Sequence, residues 1–137
     1  MTGLVVCVLV LAAASTYGVL QRRRSGRVGV RVRDGEKRLD AAELGEALGE
    51  RATLLQFSSA FCAPCRATRR VLAEVAAMVP GVAHVEIDAE QHLDLVRRLD
   101  ILKTPTVFVL DADGRVVRRA AGQPRKADVI AALGEAV

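Results

Sequence analysis

The chain has no tryptophan, and Tyr17 is its only tyrosine. Aromatic residues make up 3% of the sequence although 51% is hydrophobic, so the core must be built from Val, Leu, Ala and Ile. So few rings leave no platform on which successive nucleic-acid bases would stack. Acidic residues are missing locally, since none precedes Asp34. The formal charge of +4 arises there: removing Arg22, Arg23, Arg24 and Arg27 from the 20 Lys and Arg leaves 16, which the 16 Asp and Glu balance. The excess is thus a local juxtamembrane feature, and no nucleic-acid partner is expected. Metal ligands are scarce as well. A structural zinc site takes four, usually from a second cysteine pair or closely spaced histidines. Here Cys7 lies in an apolar run, and His84 and His92 stand eight positions apart. No metal or organic cofactor is implied.

What is present begins with an apolar N-terminus. Residues 3–20 carry no charge and as a helix would be roughly 27 Å long, near the lower limit for crossing a bilayer. Ser15, Thr16 and Tyr17 weaken the far end, although Tyr17 suits an interface. A cleaved signal peptide is the rival reading, with Ala12-Ala13-Ala14 as a mimic of its cleavage site. It would want a charged segment before the apolar run, and the arginines that follow would resist export. The expected organisation in a chain of 137 residues is therefore one domain with a short appendage. A transmembrane anchor covers residues 1–21, a basic linker residues 22–28, and a folded domain residues 29–137. The arginines after the anchor place that domain in the cytoplasm of a single-pass plasma-membrane protein. Cys7 reads as a small apolar residue of the anchor.

The most informative segment is Phe61-Cys62-Ala63-Pro64-Cys65. Two cysteines separated by two residues close a small disulfide ring and open it with little backbone movement. If a helix starts here, Cys62 sits at its positive end, where unpaired N–H groups and the macrodipole stabilise a thiolate. That is the machinery of thiol–disulfide exchange. The alternatives are a zinc grip, which lacks its other ligands, and two unreactive buried thiols. Pro64 argues against the latter, since proline is tolerated in a first helical turn and stiffens the ring.

Elsewhere strands and helices alternate. Residues 28–33 have the period of a half-exposed strand, and Asp34-Gly35 marks a turn. Asp40 caps a helix through Leu48, with Glu43 completing a capping box and Leu44, Ala47 and Leu48 as its apolar face. Residues 53–57 read as a buried central strand leading into the cysteines. A helix follows over residues 65–78, with Val71, Leu72, Val75, Ala76 and Met78 recurring at helical spacing, ended by Pro80-Gly81, then a strand over residues 82–87. Residues 92–99 read as a short helix with Leu93, Val96 and Leu99 along one side. Strands over residues 106–110 and 115–121 meet at Asp113-Gly114, and a helix over residues 125–136 closes the chain. The order βαβαβαββα predicts an α/β fold, a mixed central sheet flanked by helices.

This pattern resembles the thioredoxin family over residues 29–137. An apolar strand, a CxxC opening the next helix, and Thr104-Pro105-Thr106 before a later strand carry the likeness. The resemblance implies a thioredoxin-like fold with Cys62 as the exposed attacking thiolate and Cys65 as the buried resolving thiol, the two closing the redox disulfide. Pro105 takes the place of the family's cis-proline, and its loop faces the disulfide and pairs with substrate backbone. Gly122 matches a family glycine near the same surface. Departures are visible too. Phe61 stands for the usual Trp, keeping an apolar shield without the indole N–H, and Ala63 stands for Gly. Gln56 occupies the position of a buried aspartate that helps the second cysteine lose its proton. His84 falls near that site in place of a lysine, either as a substitute base or as a strand-edge histidine without a part in catalysis. Arg70 replaces a kinking proline, so a straighter helix is expected.

The function expected is a membrane-anchored protein disulfide reductase. Its substrates are protein disulfides, and a separate electron-donating reductase recharges it. Arg66 adds positive charge beside the cysteines. Two rival readings stand beside it. One is an extracytoplasmic oxidoreductase of cytochrome maturation or disulfide quality control, and the other is a redox-inactive adaptor at the membrane.

Overall fold

The computed structural model describes residues 1–24 and 37–137. The expected Ser25-Gly26 linker, the strand over residues 28–33 and the Asp34-Gly35 turn lie outside the described residues. The uncharged run forms α1 (Thr2–Arg24), a helix of 23 residues with none buried. It is long and apolar enough to cross a membrane, a property that a signal sequence shares.

Among the described residues four strands form, β1 (Ala52–Ser58) and β3 (Thr106–Asp111) from apolar runs, and β2 (Val82–Asp88) and β4 (Val116–Ala121) from segments that mix apolar with charged residues. Their order is β2-β1-β3-β4. β1 pairs parallel with β2 and antiparallel with β3, and β3 pairs antiparallel with β4. This is the mixed sheet the sequence predicts. β1 is buried along its whole length, as a strand flanked on both edges and covered on both faces must be.

Side chains alternate across the sheet, and each face has its own core. Leu54, Val107 and Val109 pack with Leu72 and Val75 of α3 (Ala63–Met78) and with Val129 and Leu133 of α5 (Lys126–Ala136). On the other face, Leu55, Phe57, Phe108 and Leu110 pack with Leu44 of α2 (Ala41–Leu44) and with Leu95 and Leu99 at α4 (Leu93–Arg98). Phe57 and Phe108 meet edge to face at 5.8 Å between centroids. The guanidinium of Arg119, a buried cation, lies 4.8 Å from the Phe108 ring centre. It donates to the Leu99 and Asp100 carbonyls, closing the carbonyl end of α4.

Three sequence expectations need correction. The helix begun by Asp40 has its capping box but ends at Leu44, because Gly45 adopts φ 69°, a left-handed stop. Ala47 is exposed, and Leu48 reaches the core from beyond the helix. α4 is shorter than residues 92–99 and buries Leu95 and Leu99, with Val96 partly buried, while Leu93 is 54% exposed. At a helix of 6 residues the apolar spacing is too brief to fix which side faces inward. Met78, read as part of the buried side of α3, is exposed at its end.

Candidate functional site

β1 and α3 meet at one end of the sheet. After Ser58 the chain leaves β1, and at Phe61 the backbone turns through φ 58°. That left-handed turn throws the Phe61 side chain outward, where it is fully exposed. The apolar shield expected of Phe61 is therefore absent, since a ring in solvent covers nothing.

Cys62 is the N-cap of α3 and is extended at φ −96°, ψ 99°. Its Sγ accepts a hydrogen bond from the Cys65 backbone N–H at 3.2 Å. A sulfur thus occupies the position that a Ser or Asp oxygen takes in an ordinary cap, facing the orphan N–H groups of the first turn. Pro64 sits in that turn, where its missing N–H leaves no helical bond unmade. Cys62 and Cys65 form a disulfide, with Cα atoms 5.2 Å apart. Cys62 is half-buried and Cys65 is buried. α3 then runs unbroken from Ala63 to Met78 past Arg70.

The second wall is the loop into β3. The Thr104–Pro105 peptide is cis, and Pro105 is buried. Its carbonyl accepts from the Gly122 N–H at 2.7 Å, with Gly122 at φ 98°. Thr104 Oγ1 donates toward Cys62 Sγ at 3.9 Å and stands 2.6 Å from Ser59 Oγ. The Thr104-Pro105 segment thus faces the disulfide, as the family resemblance implies for that loop.

Gln56 forms the floor. It is fully buried, and its Nε2 donates to the Cys65 carbonyl at 2.8 Å and to Ser58 Oγ at 2.9 Å. Because a carbonyl only accepts, the amide must turn its NH₂ that way, which leaves Oε1 facing His84 Nε2 at 3.1 Å. His84 must then carry its hydrogen on Nε2 and donate it. Burial pushes the pKa of half-buried His84 down, since the charged ring would lose solvation. Nearby Glu86 opposes that shift and Arg69 reinforces it. Those two are themselves paired at 2.5 Å through both carboxylate oxygens. His84 is thus built in as the donor that fixes Gln56.

Sequence reasoning overlooked Ser58 and Ser59. The signal available was a polar Ser-Ser pair at the end of a buried strand, just before the cysteines. Arg66, next to Cys65, and Arg70, further along α3, are both exposed. Thr68, buried on α3, has a hydroxyl with no hydrogen-bond partner.

Helices layered on both faces of a mixed sheet, with a cysteine ring at the strand ends, make this a thioredoxin-like α/β domain. The thioredoxin family model matches residues 37–135, and the chain belongs to the thioredoxin family. It is similar to thioredoxin H4-1 of Oryza sativa subsp. japonica, with 33% identity over 84 residues. That match covers 60% of this chain and 63% of the rice protein, so the chain spans less than two thirds of that relative's length. It is also similar to a thioredoxin of Mycolicibacterium smegmatis, 30% identical over 87 residues, covering 61% of this chain and 77% of that one. Among solved structures, chloroplastic thioredoxin z superposes with a TM-score of 0.55 at 27% identity, covering 63% of this chain and 78% of that one. Spinach chloroplast thioredoxin f gives 0.56 at 22%, covering 64% and 78%, a likeness of fold.

Proposed function

We propose that this chain is a membrane-anchored protein thiol–disulfide oxidoreductase that works as a disulfide reductase. The observation that carries the reading is the N-cap position of Cys62, whose sulfur faces the Cys65 N–H at 3.2 Å. Negative charge on that sulfur would meet the positive end of a 16-residue helix. In the reduced protein the Cys62 thiolate attacks one sulfur of a substrate disulfide and displaces the other as a thiolate, which takes up a proton. Cys65 then gives up its proton and attacks Cys62 Sγ, forming the Cys62–Cys65 disulfide and releasing the second substrate sulfur as a thiol. Two electrons pass from the two cysteines to the substrate, whose sulfurs take up two protons, one balancing that lost by Cys65 and the other supplied by solvent. A separate dithiol reductase must return them, and no metal or organic cofactor is needed.

Within this reading Gln56 holds the Cys65 backbone without titrating, so the Cys65 proton leaves to water or another base. Pro105, Thr104 and Pro64 shape the surface against which a substrate segment lies, and exposed Phe61 stands at its margin. Residues 1–21 serve as the anchor, residues 22–28 as the basic linker and residues 29–137 as the redox domain. Arg22, Arg23 and Arg24 at the end of α1 favour a cytoplasmic domain at the plasma membrane.

The test is the reduction potential of the full chain in detergent, equilibrated against dithiothreitol or glutathione and followed by thiol trapping. A two-electron transition near about −270 mV is expected for a reductase. A value of about −120 to −180 mV would instead mark an oxidant or isomerase and reverse the proposed orientation. No reversible couple would leave the adaptor reading.

A further inference from the structure

Ser59 makes a contact that its sequence position does not announce. Its Oγ lies 2.6 Å from Thr104 Oγ1, a short hydroxyl pair joining the segment before the cysteines to the cis-proline loop. Thr104 Oγ1 in turn lies 3.9 Å from Cys62 Sγ. Each hydroxyl has one hydrogen to give and can accept others. A disulfide sulfur has none, so in the second contact the hydrogen must come from Thr104. In the 2.6 Å pair either hydroxyl can donate. When Thr104 turns its only hydrogen to the sulfur, it meets Ser59 as an acceptor and Ser59 donates, so that the hydrogens run from Ser59 to Thr104 to Cys62.

We propose that Ser59 and Thr104 form a two-hydroxyl relay that aims one O–H donor at Cys62 Sγ and stabilises its thiolate. The inference rests on the reading of Cys62 as the attacking thiolate. Thr104 touches the reacting sulfur. Ser59 acts through it as a positioning residue, occupying the Thr104 lone pairs so that the Thr104 hydrogen stays on the sulfur. When Cys62 becomes an anion the same hydrogen meets full negative charge, and a charge-assisted bond is about twice as strong as a neutral one. Polarisation along the pair reinforces it. Electrons do not move in this step, and no proton leaves either hydroxyl. The charged and titratable side chains of the two segments that meet at Cys62 are Cys65 and Arg66 in the first turn of α3, Arg69, Arg70 and Glu74 further along it, and Lys103 beside Thr104, and no variant below alters them.

The experiment measures the pH midpoint for iodoacetamide alkylation of Cys62 in the reduced full chain in detergent, resolved from Cys65 and Cys7 by fragment mass spectrometry. Ser59→Ala should raise the midpoint by about 0.5, leaving roughly threefold less thiolate below it. Thr104→Val should raise it at least as far. Thr104→Ser, which keeps the hydroxyl, should stay close to wild type, which a purely structural role for the threonine methyl would not give. Adding Ser59→Ala to Thr104→Val should change nothing further, since residues acting through one another are not additive. An unchanged midpoint in Ser59→Ala would overturn the relay, and so would full additivity of the two substitutions. Alkylation reads the relay whether or not the cysteines cycle. A chain without a reversible couple would therefore sink the redox reading and leave this test standing.

Discussion

Gln56 places a non-titrating amide under Cys65, and its orientation is forced by the carbonyl it serves. The cost of that design falls on His84, which must remain an Nε2–H donor in a half-buried setting. Burial lowers the His84 pKa from its ordinary value of 6.5. As pH falls through 6.5, the unfolded chain therefore takes up the proton first and the fold loses stability. The loss stops growing once pH drops below the lower folded value, where both states are protonated. His84→Gln keeps a donor for Gln56 and removes the titration. Its urea midpoint should decline less than wild type between about pH 7.5 and pH 5. A wild-type-like slope in the variant would place the pH sensitivity on another group.

At the scale of elements, what was legible depended on how long each pattern ran. The buried stretch that became β1 and the 16 residues of α3 were readable because central strands and long helices leave sustained periodicity. The cysteine ring was readable because its spacing and Pro64 belong to one turn. The reach of α2 was not, since Leu44, Ala47 and Leu48 imitate helical spacing past a glycine stop. The Ser59–Thr104 contact spans 45 positions in sequence, and no local pattern records such a meeting. Two glycines separate backbone conformation from packing. Gly45 at φ 69° has open space where a Cβ would stand, whereas at Gly114, φ 81°, a Cβ would lie 2.0 Å from the Leu39 carbonyl oxygen. Gly45→Ala should cost only the left-handed penalty, about 1 kcal/mol. Gly114→Ala must also displace backbone and should cost roughly 3 kcal/mol or more. Chemical denaturation of the two variants checks the order, and equal losses would refute the clash.

Over the whole molecule, charge and apolarity are segregated along the chain. Three of the four unbalanced positive charges, Arg22, Arg23 and Arg24, sit at the end of α1 and Arg27 follows in the sequence, while the rest balances; on the proposed reading that end meets a bilayer and its headgroups. The full chain should sediment with membranes, and deletion of residues 1–24 should release it. In intact cells a membrane-impermeant maleimide should leave Cys62 unlabelled until the cells are broken. Labelling of unbroken cells would put the domain outside. The loop that carries Thr104 and Pro105 is held at both ends, by Arg119 on the Leu99 and Asp100 carbonyls and by the Gly122 N–H on the Pro105 carbonyl. A host surface fixed in this way has little freedom left to lose when another chain lies down on it. The ordering entropy of docking then falls on the visiting segment, and a segment already extended before it arrives would bind at the smallest loss.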